Sequence, residues 1–179
     1  MQKMFAILTT LTLVALTGPV LAFEPNVNDP MELDVQKAII DIKRADPGIE
    51  TFFNNAAGYA VFPSVGKGGI VIGGAYGKGL LIVDEKAIGY TSLSQATIGL
   101  QLGGQKYAQF VFFKDKTAVG HFERGNFEFN AQASAVAITA GASADAAYDS
   151  GVAVFTHAAG GLMFEASIGG QRFKYTPKD

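Results

Sequence analysis

The chain carries few side chains that could form a catalytic or metal site. It has 2 histidines and no cysteine, and neither His121 nor His157 has an acidic residue at the spacing of a metal ligand. The segment GGAYGKG at residues 73–79 lacks the spacing, and the following Ser or Thr, of a phosphate-binding loop. No nucleophile-elbow sequence surrounds the candidate serines Ser64, Ser92 and Ser134. We therefore expect a non-enzymatic protein that needs no metal and no cofactor.

Basic residues recur in and beside the glycine-rich stretches. Arg172 and Lys174 share one face if residues 171–175 form a strand, because side chains alternate between the two faces. Lys106 is equivalent to Arg172 in a repeated pattern, IGLQLGGQKY at residues 98–107 and FEASIGGQRF at residues 164–173. The candidate residues for a local basic surface are Lys67, Lys78, Lys106, Arg172 and Lys174. The alternative is that these are ordinary solvated charges.

The elements that would position these cations are mostly strands. From residue 59 onward, β-branched and aromatic residues alternate with glycine, alanine and polar residues, between recurrent turn signals. In the second repeat the apolar parity changes at Gly169 and Gly170, which predicts a bulge or a bend there. Gly103 and Gly104 occupy the same place in the first repeat. The pattern predicts a strongly curled, barrel-like antiparallel sheet in an α+β fold.

Two short helices are predicted before the sheet. Asp29, Pro30 and Glu32 have the spacing of a helix start, and apolar residues then recur at helical spacing through residue 42. Glu32, with Gln36, Lys37 and Lys43, is expected to face solvent. Asp46 and Pro47 end this helix, and a second helix spans residues 49–55. The polar face mixes acids and bases, so we interpret the first helix as packed on the core and not as lying on a membrane.

The small-residue segment at residues 131–147 is ambiguous. Alanine favours a helix, whereas Ser134, Val136, Ile138 and Thr139 permit a strand. Because Phe127 and Phe129 continue a two-residue alternation, we favour a strand through residue 140. A loop over residues 145–151 and a strand over residues 152–156 would follow.

Residues 1–22 have the pattern of a secretory signal. An early Lys3 precedes an apolar run at residues 4–16, and small residues allow cleavage after Ala22. A membrane anchor is the alternative, but this run is shorter than the roughly 20 residues that span a bilayer. We expect a periplasmic or secreted single domain at residues 23–179. We expect that it is not a lipoprotein, since there is no cysteine, and the net charge of −2 of the whole chain argues against nucleic-acid binding.

Four motifs resemble the SYLF domain family: VFPSV at residues 61–65, the glycine run at residues 67–79, LQLG at residues 100–103 and GGLM at residues 160–163. The resemblance implies a non-enzymatic lipid-binding domain, with phosphoinositides bound by eukaryotic members and actin by some fungal members. The chain departs from many bacterial members, which have an acid in the run where it has Ala75 and Lys78.

For a bacterial envelope protein, the resemblance implies an anionic phospholipid or membrane surface as the partner, and actin is not expected. The five cations named above are the candidates for binding the lipid headgroups. Two alternatives stay open. One is a structural or interaction protein that offers a sheet edge or groove to an envelope partner. The other is a small outer-membrane β-barrel, against which the two N-terminal helices argue.

Overall fold

The computed structural model describes residues 23–69, 72–98, 105–125, 127–128, 135–158 and 170–178. The predicted signal at residues 1–22 lies outside these ranges, as do the motifs at residues 100–103 and 160–163. The same holds for Gly103, Gly104 and Gly169, whereas Gly170 is described. Gly170 has a φ of 75°, which places a left-handed turn directly before the last strand.

The N-terminal helices form where the sequence predicts them. Helix α1 spans Pro30–Ala45 and α2 spans Glu50–Asn55, with a 3-10 turn at Pro47–Ile49 between them. The Asp29 side chain accepts a hydrogen bond from the backbone N–H of Met31 and so caps α1. Asp46 in turn accepts one from the N–H of Gly48. The 16 residues of α1 lie between the predicted start and end signals.

Glu32 does not face solvent as the sequence predicted. It is buried, and its carboxylate accepts hydrogen bonds from the backbone N–H of Asn26 and from the ammonium group of Lys178. A partner 146 positions away in the sequence cannot be read from local periodicity. The other polar residues assigned to solvent are exposed or half-buried.

The described strands form one eight-stranded sheet in the order β5-β8-β3-β2-β1-β4-β7-β6. All its pairings are antiparallel except the parallel pair β6 and β7. Since β5 and β6 stand at the two ends of this order, the pairings among the described residues do not close the sheet into a barrel. The strands are β1 Gly58–Gly69, β2 Ile72–Val83, β3 Lys86–Ile98, β4 Gln105–Phe113, β5 Phe127–Glu128, β6 Val136–Ala137, β7 Val152–Ala158 and β8 Gln171–Pro177.

A third helix, α3 at Lys116–Glu123, was not predicted. The sequence indicated only turns near residues 114–116 and 125–126. Asp115 caps α3 by accepting a hydrogen bond from the N–H of Ala118 at 2.9 Å. Because the helix has only 8 residues and Gly120 lies within it, its local propensity is weak, and burial of Val119 and Phe122 stabilises it.

The strand expected through residue 140 is largely wrong within the described residues. Only Val136–Ala137 is a strand, and a 3-10 turn follows at Ala142–Asp145. Gly141, with a φ of 81°, adopts a left-handed conformation that begins this turn. The predicted loop before residue 152 and the strand beginning there are confirmed, and β7 extends to Ala158.

Both faces of the sheet are apolar near the β2–β3 turn. We call the two sides the helix face and the glutamine face. On the helix face, α1 and α2 pack against a cluster that includes Val61, Leu80, Phe110 and Phe112. On the glutamine face, α3 packs so that the ring of Phe122 lies 4.9 Å from Phe113 and 5.5 Å from Phe173. The helices thus cover both sides of this end of the sheet.

Three buried glutamines give the glutamine face its name. Gln109 on β4 and Gln171 on β8 exchange two amide hydrogen bonds, at 2.8 and 3.1 Å. Gln171 also donates to Gln95 on β3, at 3.4 Å. All three side chains are buried, so these bonds satisfy amides that would otherwise be costly to desolvate.

Candidate functional site

Strand pairing brings two predicted cations into one transverse row on the helix face. Lys78 on β2 pairs with Ser92 on β3, and Ser92 pairs with Lys174 on β8. Directly paired residues point to the same side of a sheet, so these three side chains lie side by side. Both lysines are exposed and Ser92 is half-buried.

A second row, parallel to the first, contains two more of the predicted cations. It runs across β4, β1, β2, β3 and β8 through Lys106, Gly66, Tyr76, Ser94 and Arg172. Lys106 and Arg172, which are equivalent in the sequence repeat, therefore share one row, and both are exposed. The repeat thus places equivalent bases at matching positions on two strands that are distant in the sheet order.

Two tyrosines accompany these cations on the helix face. Tyr76 is 54% exposed and Tyr90 is 40% exposed, values that identify them as large side chains outside the core. The apolar residues Leu80 and Ile82 of β2 are buried beneath α1 and α2, whereas Tyr76 and Lys78 lie beyond that cover. We name this uncovered part of the helix face the basic–tyrosine surface: Tyr76, Lys78, Tyr90, Lys106, Arg172 and Lys174.

The structure does not bring Lys67 to this surface. Lys67 is buried, and by alternation from Val65 it lies on the glutamine face. The cause is a register shift in β1 between Val61 and Ser64, around Pro63. Val61 belongs to the helix face and Val65 to the glutamine face, although unbroken alternation would put both on one side.

A groove of about 340 Å³ lies within the basic–tyrosine surface. Its lining includes Met31, Tyr76, Lys78, Tyr90, Ser92 and Lys174. The hydroxyl of Tyr90 donates a hydrogen bond to the Asp29 carboxylate at 2.8 Å, which fixes one end of the groove. Tyr76 forms the opposite, open end.

A second cleft, also about 340 Å³, adjoins Lys106 between α1 and the sheet. It has a mixed lining that includes Asp34, Lys37, Ser64, Lys106 and His157. Lys37 forms an ion pair with Asp41 at 2.9 Å, so its charge is largely compensated. Lys106 therefore lies near both acidic and basic side chains of α1, whereas Lys78 and Lys174 lie away from these acids.

The acids nearest the groove are already paired. We name Lys178, Asp29 and Glu32 the C-terminal clamp, because the ammonium group of Lys178 bridges both carboxylates. The hydrogen bond from Lys178 is the main cause that lowers the pKa of Asp29 to about 2, and Tyr90 adds to it. Burial lowers the pKa of Lys178, but hydrogen bonds to Asp29 and Glu32 outweigh it and raise the pKa above its ordinary value.

Three lysines of the surface differ from Lys178. In the part of the chain that the structure describes, no carboxylate lies within ion-pair distance of Lys78, Lys106 or Lys174. These unpaired ammonium groups attract anions. The exposed tyrosines beside them present amphipathic rings to an interface.

Sequence reasoning missed Tyr76 and Tyr90 and considered Ser92 only as a nucleophile. The signal that could have found them is the two-residue turn at Asp84 and Glu85. Both residues have positive φ, at 48° and 61°, as a tight hairpin turn requires. Such a turn determines which residues of β2 and β3 lie opposite each other. With one register shift near the turn, it pairs Tyr90 with Leu80 and Tyr76 with Ser94.

The described residues hold neither a cluster of metal-ligand side chains nor a membrane-spanning helix. They contain no group of three or more His, Cys, Asp or Glu side chains that could hold a metal ion. Over those same ranges, no helix combines the length and the apolar character needed to cross a membrane.

The chain is similar in sequence to a bacterial protein. The chain is 29% identical over 138 residues to beta cell expansion factor A of Aeromonas veronii. The aligned region covers 76% of this chain and 52% of that protein, so the chain spans about half the length of the curated relative it matches. No protein-family model matches the chain.

Proposed function

We propose that this chain is a non-enzymatic lipid-binding protein of the bacterial envelope, which binds anionic phospholipid headgroups through its basic–tyrosine surface. The observation that carries the proposal is the common exposure of Lys78, Lys106, Arg172 and Lys174 beside Tyr76 and Tyr90 on one face. A scattered set of solvated charges has no reason to align in two adjacent rows.

The energetics support a peripheral and reversible attachment. Each base near an anionic surface contributes about 1 kcal/mol, and salt screens that contribution. Bases act together only where they reach the same surface, and Lys78 and Lys174, in one row two strands apart, are the pair best placed to do so. Tyr76 and Tyr90 add amphipathic rings that favour the headgroup level of a bilayer.

The proposal includes a strongly curled, barrel-like sheet. Three strands separate β4 from β8 in the sheet order, which in a flat sheet would place them about 19 Å apart. The hydrogen bonds between Gln109 and Gln171 support a sheet that bends back on itself, as does the 5.5 Å separation of the rings of Phe62 and Phe173. Such a curl would turn the helix face, with its cations, outward.

We assign the chain to the SYLF domain family and place it in the periplasm or outside the cell after removal of residues 1–22. The family motifs at residues 61–65 and 67–79 lie mostly in the antiparallel pair β1 and β2. The 29% identity to beta cell expansion factor A over 138 residues supports common descent with that protein over the aligned region.

Vesicle co-sedimentation tests the proposal. The wild-type protein should bind vesicles that contain anionic phospholipid, bind neutral vesicles weakly, and lose affinity as salt is raised. A quadruple variant should lose most binding, with changes to glutamine at Lys78, Lys106, Arg172 and Lys174. The matched control has the same charge change at exposed positions near the other end of the sheet: Lys86, Lys114, Lys116 and Arg124.

If both quadruple variants bind alike, the surface assignment is wrong. A protein that copurifies in stoichiometric amount without lipid would instead favour the alternative of an envelope interaction protein that uses this groove or a sheet edge.

A further inference from the structure

We infer that the middle of the groove is a defined site for a single phosphate group, formed by Lys78, Ser92 and Lys174. This inference rests on the proposed function and goes further, because a diffuse basic surface would recognise charge alone. A defined site would recognise the chemistry of a phosphate ester.

The first step is the geometry of the row. Lys78 and Lys174 flank Ser92 on the two neighbouring strands, so their Cα atoms stand about 10 Å apart with the serine midway between them. Each ammonium group ends a flexible four-carbon stem that carries three donors. Both groups can therefore reach over the serine from opposite sides.

The second step is the charge around the row. Among the described residues neither lysine has a carboxylate partner, while the nearby acids Asp29 and Glu32 are held by Lys178. The row therefore combines two uncompensated cations with a neutral hydroxyl donor. That set matches an anion with several acceptor oxygens, such as a phosphate, better than a single carboxylate.

The third step is the shape of the groove. Tyr90 is held in place by its hydrogen bond to Asp29, and Lys178 lies 5.0 Å from the centre of its ring. Tyr76 stands at the other end, two residues from Lys78 along β2. The two rings bound a space of about 340 Å³, which is large enough for a phosphate with its ester group.

The source of the phosphate is either a phospholipid headgroup or a free phosphate ion. The first arm of the test compares vesicles of phosphatidylglycerol in phosphatidylcholine with vesicles whose equal surface charge comes from a carboxylate amphiphile. The wild-type protein should prefer the phosphate vesicles about three- to tenfold, the net effect of one ordinary hydrogen bond. Ser92→Ala should remove this preference, although it changes no charge.

The matched control is Ser94→Ala, since Ser94 is an exposed serine on the same strand face in the adjacent row. It should keep the preference. Changing Lys78 or Lys174 to Gln should weaken binding to both vesicle types, about fivefold for each lysine.

The second arm uses nuclear magnetic resonance with inorganic phosphate. Saturable shifts of the backbone signals around Ser92 that vanish in Ser92→Ala would show that the site also takes the free ion. Wild-type vesicle preference without such shifts assigns the site to the headgroup. Vesicle binding that is indifferent to headgroup chemistry and to Ser92→Ala overturns the site but leaves the proposed function intact.

The phosphate site can also be correct when the proposed lipid function is wrong. If no vesicle is bound but inorganic phosphate saturates the site in a Ser92-dependent way, the lipid function fails and the phosphate site stands. If neither vesicles nor phosphate bind, both are overturned.

Discussion

Gln109 and Gln171 form a reciprocal amide pair that joins strands far apart in the sheet order. Because both amides are buried, replacing Gln109 with leucine removes both bonds of the pair and leaves the Gln171 amide with its longer bond to Gln95, at 3.4 Å. Gln109→Leu should therefore lower the free energy of unfolding by about 1–3 kcal/mol, and the double leucine variant should lose less than the sum of the single changes. A double-mutant cycle by denaturant unfolding measures this coupling. Strictly additive losses would contradict a direct pair.

The C-terminal clamp gives the protein an acid-sensitive contact. The pKa of Asp29 falls from 3.8 to about 2 in the folded protein. A carboxylate whose pKa is lowered by folding stabilises the folded protein at pH values above its ordinary pKa. This stability is lost as the pH falls through the pKa of the folded state. Lys178→Met should lower the free energy of unfolding at neutral pH by about 1–3 kcal/mol, since it leaves the buried Glu32 without its cation.

The same variant should flatten the loss of stability between pH 3.8 and about 2, the interval set by Asp29. Unfolding curves at several acidic pH values measure that slope. Lys114→Met is the control, because Lys114 is exposed and directly follows β4, which lies four strands from β8 in the sheet order. An unchanged slope in Lys178→Met would mean that the clamp does not govern this part of the acid response.

Lys67 marks the limit of sequence reasoning at the residue scale. Alternation along β1 assigns its direction only if the strand has no register shift, and the shift around Pro63 reverses it. Proline has no N–H to donate to a neighbouring strand, which explains an irregularity in strand pairing near Pro63. The number of residues by which the register shifts cannot be predicted from the sequence. Arg172 and Lys174 were assigned to one face by alternation alone, and no register shift separates them in β8.

At the scale of elements, the β2–β3 turn aligns the rows of the candidate site. Asp84 and Glu85 both hold positive φ without being glycine, which is strained for Glu85 in particular. Asp84→Asn combined with Glu85→Gly should raise the free energy of unfolding by about 1 kcal/mol while vesicle binding stays unchanged. Thermal or denaturant unfolding checks the gain, and a loss of stability would show that the native acids form interactions that outweigh the strain.

The helices show which elements a sequence can specify. Helix α1 was predictable because its cap, its proline and its apolar spacing are all local. Helix α3 was not, since 8 residues carry too little periodicity and its stability comes from Phe113 and Phe173 in distant strands. The small residues before β7 gave no decisive pattern, and tertiary contacts there select a 3-10 turn and a two-residue strand.

At the scale of the whole molecule, the candidate site depends on long-range pairing. The identity of its cations could be predicted, because a sequence repeat and glycine-rich runs single them out. Their neighbours could not, since the pairing of Ser92 with Lys174 joins residues far apart in the chain. The same pairing places Tyr76 and Tyr90 beside the bases, and it converts five scattered candidates into one surface that includes four of them.

If the basic–tyrosine surface contacts anionic lipid, a fluorescent side chain on this surface must change its environment when vesicles bind. The chain has no tryptophan, so Tyr76→Trp places a single reporter on the basic–tyrosine surface, and His121→Trp places one on the exposed side of α3. The indole emission of the Tyr76→Trp variant should shift to the blue with anionic vesicles and not with neutral vesicles. The emission of the His121→Trp variant should shift with neither. A shift in the His121→Trp variant with none in the Tyr76→Trp variant would contradict contact between this surface and anionic lipid.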